Sequence, residues 1–144
     1  EKYMQSLGRQ AFPMAGAEDM LKQASGLARL FVVTNGVAAV QRERLKKTGL
    51  GRFFEGSFIS QELGAQKPAR AFFDKVFEAL GPVDRKDVVL LGDSLTSDMK
   101  GARTAGVTAC WFCPDESRPD APGEYDLRIS HLEQFIGVLK GERK

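Results

Sequence analysis

Four strand-like runs, separated by segments with helical spacing, constrain this chain more than any other feature. The runs are Arg29–Thr34, a short one near Ser57–Ser60, Asp87–Leu91 and Val107–Phe112. Helical patterns lie between them: Val37–Thr48, ended by Gly49; a segment opened by Pro68 and carried by Phe72, Phe73, Val76 and Phe77 to Leu80, closed by Gly81; and a small-residue stretch from about Thr96 to Ala105. An amphipathic segment, Ala17–Ala24, precedes the first run, and Leu132, Phe135, Ile136 and Leu139 mark a last helix. Strands alternating with helices pair in parallel, because each crossover consumes a helix's length of chain. The helices then cover both faces. The fold class is therefore α/β, a doubly wound parallel sheet. Such sheets bind ligands beyond the carboxyl ends of their strands, so the residues that end each strand are the candidates for function.

Composition narrows the partners. The 144 residues suit one domain, and 42% hydrophobic residues can supply its core. With 21 basic against 19 acidic residues and no long basic run, nucleic acid polymers are not expected partners. No apolar stretch approaches the roughly 18 residues of a membrane span, so no membrane partner is expected. Cys110 and Cys113 form a C-x-x-C, but a zinc site takes about four ligands and the single histidine, His131, cannot complete one. In a strand, residues three apart point to opposite faces, so both thiols read as core. Two thiols without a leader-like opening fit a cytoplasmic protein.

Three strand ends carry chemistry. Thr34-Asn35-Gly36 closes the first strand and turns into a helix. A hydroxyl beside the free amides of a helix start can hold a phosphate, although a threonine there can equally be an ordinary cap. Lys67, before Pro68, can project an ammonium over the same edge and neutralise phosphoryl charge, or it can be a solvated surface lysine. After four apolar residues, the third strand ends in Gly92-Asp93-Ser94-Leu95-Thr96-Ser97-Asp98. Asp93 falls at the sheet edge and Asp98 in the first turn of the next helix, a pair of hard oxygen ligands suited to Mg²⁺. The other reading is that Ser94 or Thr96 caps that helix and Asp98 complements its dipole.

Val32-Val33-Thr34-Asn35-Gly36, then Lys67-Pro68, then Leu91-Gly92-Asp93 with Asp98, resemble motifs II, III and IV of haloacid dehalogenase-like hydrolases. The resemblance runs from about Pro13 to the end and includes Arg44-Leu45 and Thr48-Gly49-Leu50; it is nearest to the phosphatase branch with the pyrimidine 5′-nucleotidases. It implies a Rossmann-like core and an aspartyl-phosphate reaction on a small phosphorylated metabolite. A nucleoside monophosphate is the first expectation and a sugar phosphate the second. It also implies that Thr34 binds the phosphoryl group, with Asn35, Gly36 and Ser94 beside it. Lys67 would pair with nucleophile and phosphate, Asp93 would ligate Mg²⁺, and Asp98 would ligate or support it.

The family's motif I, an Asp-x-Asp that supplies nucleophile and general acid, has no counterpart before Thr34, where Asp19 is the only aspartate. Residues 1–12 are accordingly expected to be the tail of a helical cap and 13–144 the C-terminal part of the core, with the central first strand missing and the chain alone inactive. The strands ending at Thr34 and Leu91 should then be bridged by a second chain, a swapped copy or an upstream segment, or not be adjacent. Three rivals remain. A haloacid dehalogenase proper works without metal but carries Ser-Asn where this chain has Gly92-Asp93. A receiver domain places its acidic pocket before its threonine and lysine. A non-catalytic interaction domain would have no need to retain all four of Thr34, Lys67, Asp93 and Asp98.

Overall fold

The computed structural model of the chain describes residues 2–5 and 16–141. Its elements in order are β1 (Lys2–Gln5), α1 (Ala17–Ala24), β2 (Ala28–Thr34), α2 (Ala38–Thr48), β3 (Gly56–Ile59), α3 (Ser60–Leu63), α4 (Arg70–Leu80), β4 (Val88–Gly92), α5 (Lys100–Ala105), β5 (Thr108–Phe112), β6 (Leu127–Ile129) and α6 (Gln134–Leu139). All pairings are parallel, in the order β3-β2-β1-β4-β5-β6. The chain thus winds outward through β2 and β3, returns, and winds outward again through β4, β5 and β6, as the alternating pattern requires.

The sheet alternates its side chains between two helical layers. On one face Leu30, Val89, Leu91, Cys110, Phe112 and Ile129 pack with Met20 and Leu21 of α1 and Phe135 and Leu139 of α6. On the other face Phe31, Val33, Val88, Leu90, Ala109 and Trp111 pack with Phe72, Phe73 and Val76 of α4 and Ala102 and Ala105 of α5. Every residue of β4 is buried, which is why this strand reads as one apolar run rather than an alternation. Cys110 and Cys113 fall in opposite clusters as unpaired thiols, and burial pushes the Cys110 thiol up to about 12. They serve as small core residues. No helix among the described residues is long and apolar enough to cross a membrane.

The centre of the sheet corrects the sequence reading. The strands ending at Thr34 and Leu91 are indeed bridged, but by Lys2–Gln5 of this chain, residues assigned above to the tail of a cap in a core lacking its central strand. Two parallel strands facing an empty slot would leave buried main-chain groups unpaired, at about 1–3 kcal/mol each. An extended segment with its main-chain N–H groups intact removes that cost. Lys-Tyr-Met-Gln has no apolar run to announce it, and its backbone pairs with β2 on one side and β4 on the other. The strand holds the place that the family's motif I strand would take, but carries no aspartate. Gln5 lies level with Phe31 and Leu90, three residues short of Thr34 and Asp93. Residues 6–12 of the expected cap tail lie outside the described residues.

Smaller differences are local. The segment after Lys67 turns through a cis Lys67–Pro68 peptide before α4 begins at Arg70. The helix expected from Thr96 starts as a π-helical turn, Leu95–Met99, and continues as α5. β6 is only three residues long, too short to leave a pattern.

Candidate active site

Thr34, at the end of β2, is 4% exposed, and its hydroxyl donates to the Asn35 carbonyl at 3.2 Å. Asn35 is used by the fold. Its Nδ2 donates to the Lys67 carbonyl at 3.1 Å and its Oδ1 accepts from the Lys67 amide at 2.8 Å. This two-point clamp fixes the backbone of Lys67 against the end of β2. At the start of α2, the Gly36 amide donates to Ser60 Oγ at 2.8 Å and the Ala38 amide to Gln61 Oε1 at 2.7 Å. Two amides that the sequence reading offered to a phosphate are therefore capped by α3.

Lys67 is not a surface lysine. Its side chain is 4% exposed, and its Nζ donates to the Val33 carbonyl at 3.2 Å and to Asp98 Oδ1. A buried ammonium needs such partners, because desolvation of an unpaired charge is prohibitive. Asp98 is 1% exposed, and its second oxygen, Oδ2, accepts from the Ser94 amide at 3.3 Å. Both oxygens are engaged, so Asp98 holds Lys67 and the turn after β4. The Ser94 hydroxyl caps that turn, accepting from the Ser97 amide at 3.0 Å.

Gly92 makes this packing possible. A Cβ there would lie 2.5 Å from both Cβ and Cγ of Asp98, closer than real side chains approach. Asp93 follows, part-exposed. Burial first, and the Asp98 charge second, push its carboxyl above the ordinary value, against the pull of its own amide and of Lys67. Its main-chain carbonyl accepts from Trp111 Nε1 at 3.2 Å.

All seven residues singled out from the sequence, Thr34, Asn35, Gly36, Lys67, Asp93, Ser94 and Asp98, line one cavity of about 730 Å³ at the carboxyl edge of the sheet. That is room for a small phosphorylated molecule, within the roughly 300–1,000 Å³ typical of ligand sites. Arg118 and Glu124 join the lining from the segment after β5. Sequence reasoning passed over them because the Pro- and acid-rich stretch reads only as a loop. It also missed Trp111, whose strand position says core and nothing about its N–H.

The residues fit Mg²⁺. Among the described residues no cluster of three His, Cys, Asp or Glu side chains exists to cage a metal. Mg²⁺ commonly needs only one or two carboxylates, keeping several waters and binding substrate phosphate. Asp93 is the carboxylate of motif IV left open, and the burial and like charge that raise its pKa are what a cation would relieve.

A family model described as haloacid dehalogenase-like hydrolase matches residues 2–106. The chain is similar to YfnB of Bacillus subtilis, 35% identical over 99% of this chain and 60% of that protein. A crystal structure of YfnB described as bound to magnesium superposes with a TM-score of 0.82 at 37% identity, covering 88% of this chain and 55% of that one. The pyrimidine 5′-nucleotidase YjjG of Escherichia coli is 36% identical over 94% of this chain and 62% of its own length. A 2-haloacid dehalogenase of Pseudomonas syringae matches with a TM-score of 0.76 at 32% identity, over 90% of this chain and 53% of that one. The chain thus spans about three fifths of the length of YfnB and of YjjG.

Proposed function

The chain belongs to the haloacid dehalogenase-like hydrolases, and from that premise we propose that it forms the substrate- and metal-binding part of a Mg²⁺-dependent phosphatase acting on small phosphomonoesters. The observation that carries this reading is the buried Lys67 ammonium, anchored by the Val33 carbonyl and Asp98 in the cavity lined also by Thr34 and Asp93. A fixed cation in a partly dry site stabilises charge that develops on a transferring phosphoryl group. The Thr34 hydroxyl, at the end of β2, would turn from the Asn35 carbonyl to donate to that group. Asp93 would hold Mg²⁺, which when bound neutralises and orients the phosphoryl oxygens. Asp98 and the Asn35 clamp keep Lys67 in place.

The attacking carboxylate of the resemblance, which would carry an aspartyl-phosphate, has no match before Thr34, so the present chain supplies binding and charge without the nucleophile. We expect it to hydrolyse no phosphate ester by itself. Nucleoside monophosphates are the first substrate class, on the similarity to a pyrimidine 5′-nucleotidase, and sugar phosphates the second. The buried free thiols support a cytoplasmic setting.

A second reading, metal-independent dehalogenation, has the support of the similar 2-haloacid dehalogenase structure. Gly92-Asp93 favours the phosphatase. Assaying the whole protein on nucleoside monophosphates, sugar phosphates and 2-chloropropionate, with Mg²⁺ and with chelator, separates them. Mg²⁺-dependent phosphate release is expected. Chloride release that survives chelation, without phosphatase activity, would overturn the proposal.

A further inference from the structure

Trp111 is the single tryptophan of the chain and is wholly buried at the end of β5. A buried indole normally finds one partner for its N–H. Here that partner is the main-chain carbonyl of Asp93, at 3.2 Å. The ring is held by groups from beyond its own strand. The Arg118 guanidinium lies 5.0 Å from the ring centroid, that of Arg128 4.7 Å, and the Tyr125 ring 5.4 Å. Arg128 is itself fixed, donating to the Arg118 carbonyl at 2.9 Å. Tyr125 is tied to Asp120. The orientation of the indole is therefore set by Arg118 and Tyr125 of the segment between β5 and β6 and by Arg128 of β6, and its only polar atom points at the residue proposed to bind metal.

We propose that Trp111 is a positioning residue for Asp93. By holding the main-chain carbonyl at 93 it fixes the turn between Gly92 and Ser94, and with it the direction in which the Asp93 carboxylate enters the cavity. Two features favour this over a core tryptophan that happens to be satisfied. The bonds that Asp98 and the Ser94 hydroxyl give this turn fall after residue 93, whereas the Trp111 contact is made to the carbonyl of Asp93 itself. Arg118, one of the groups over the ring, lines the same cavity as Asp93. One network therefore joins the wall of the cavity, the indole and the metal-binding turn. Partners of this kind, one bond removed from a metal ligand, typically set affinity by about 10- to 100-fold.

The inference rests on the reading of Asp93 as a Mg²⁺ ligand, and the test keeps the two apart. Because Trp111 is the only tryptophan, its emission reports on the surroundings of this one ring. Mg²⁺ is titrated into the full chain by calorimetry and by tryptophan fluorescence, both titrations are repeated on Asp93→Asn and calorimetry on Trp111→Phe, with the near-ultraviolet dichroism and melting of each recorded. The expected result is a saturable change in Trp111 emission with the calorimetric midpoint. Trp111→Phe should bind Mg²⁺ about tenfold more weakly while staying folded, and Asp93→Asn should lose both signals. Absence of Mg²⁺ binding to the unsubstituted chain would refute the metal reading and this proposal with it. Binding by Asp93 with unchanged Trp111 emission would overturn the positioning role alone, even if Trp111→Phe failed to fold. Unweakened Mg²⁺ binding by a folded Trp111→Phe would overturn it too.

Discussion

Lys67 and Asp98 form an ion pair whose side chains are 4% and 2% exposed, joining the loop after α3 to the turn after β4. Removing one member of a buried pair strands the other charge and typically costs about 3–5 kcal/mol. Lys67→Met and Asp98→Leu should each show that loss in urea unfolding. The double variant should lose less than the sum, because neither charge is left alone. Strict additivity would mean that the two side chains do not depend on each other.

Gly92→Ala puts a methyl group 2.5 Å from two atoms of Asp98. Asp98 cannot retreat without releasing Lys67, so a loss of about 1–3 kcal/mol is expected, together with loss of the site. Gly26→Ala is the control, since its nearest neighbour would be the Gln23 carbonyl at 3.5 Å, an ordinary contact. It should stay within about 0.5 kcal/mol of the unsubstituted chain. Equal melting temperatures for the two variants would contradict the close packing at Gly92.

Asn35→Ala removes both bonds of the clamp to the Lys67 backbone. Leaving a part-buried amide and carbonyl without partners should cost about 1–3 kcal/mol. In the whole protein the defect should fall on kcat as well as on KM, because Lys67 is displaced rather than a substrate contact deleted. A change in KM alone, with stability untouched, would mark Asn35 as a direct substrate ligand instead.

Asp93 gives a pH-dependent prediction. Its folded pKa is raised by burial and by Asp98, so the folded state holds the proton more tightly than the unfolded state does. The stability this proton contributes is fully present below the ordinary carboxylate value of about 4 and is lost as pH rises through the raised value. Without metal, Asp93→Asn should therefore raise the stability at about pH 7, by no more than about 1 kcal/mol because the carboxylate is part-exposed and screened. The advantage should shrink as pH falls toward 4, and with Mg²⁺ present it should reverse. A variant less stable than the parent at neutral pH without metal would contradict the assigned cause.

The parts of this fold that bury apolar surface were legible in the sequence, because burial leaves a period. β2, β4 and β5 read as apolar runs, α4 as a stripe of Phe72, Phe73, Val76 and Phe77, and the helix ends at Gly49 and Gly81 as punctuation. The cavity was legible because residues that end parallel strands must meet at one edge. Three things left no such trace. β1 pairs its backbone with two strands, and main-chain pairing is something to which composition is nearly blind. The commitment of Asn35 and Asp98 to Lys67 depends on which polar atoms face each other after folding. Arg118 and Trp111 reach the site through a loop whose path no periodicity records.

On the proposed function, Asp93, which lines one cavity with Thr34 and Lys67, binds Mg²⁺ for phosphate chemistry. The most direct test is phosphate release from a nucleoside monophosphate by the whole protein and by its Asp93→Ala variant, each with Mg²⁺ and with chelator. Substitution and chelation should each remove activity by roughly a thousandfold, and the variant should regain nothing with added Mg²⁺. Full turnover by Asp93→Ala, or by the unsubstituted protein in the presence of chelator, would contradict it.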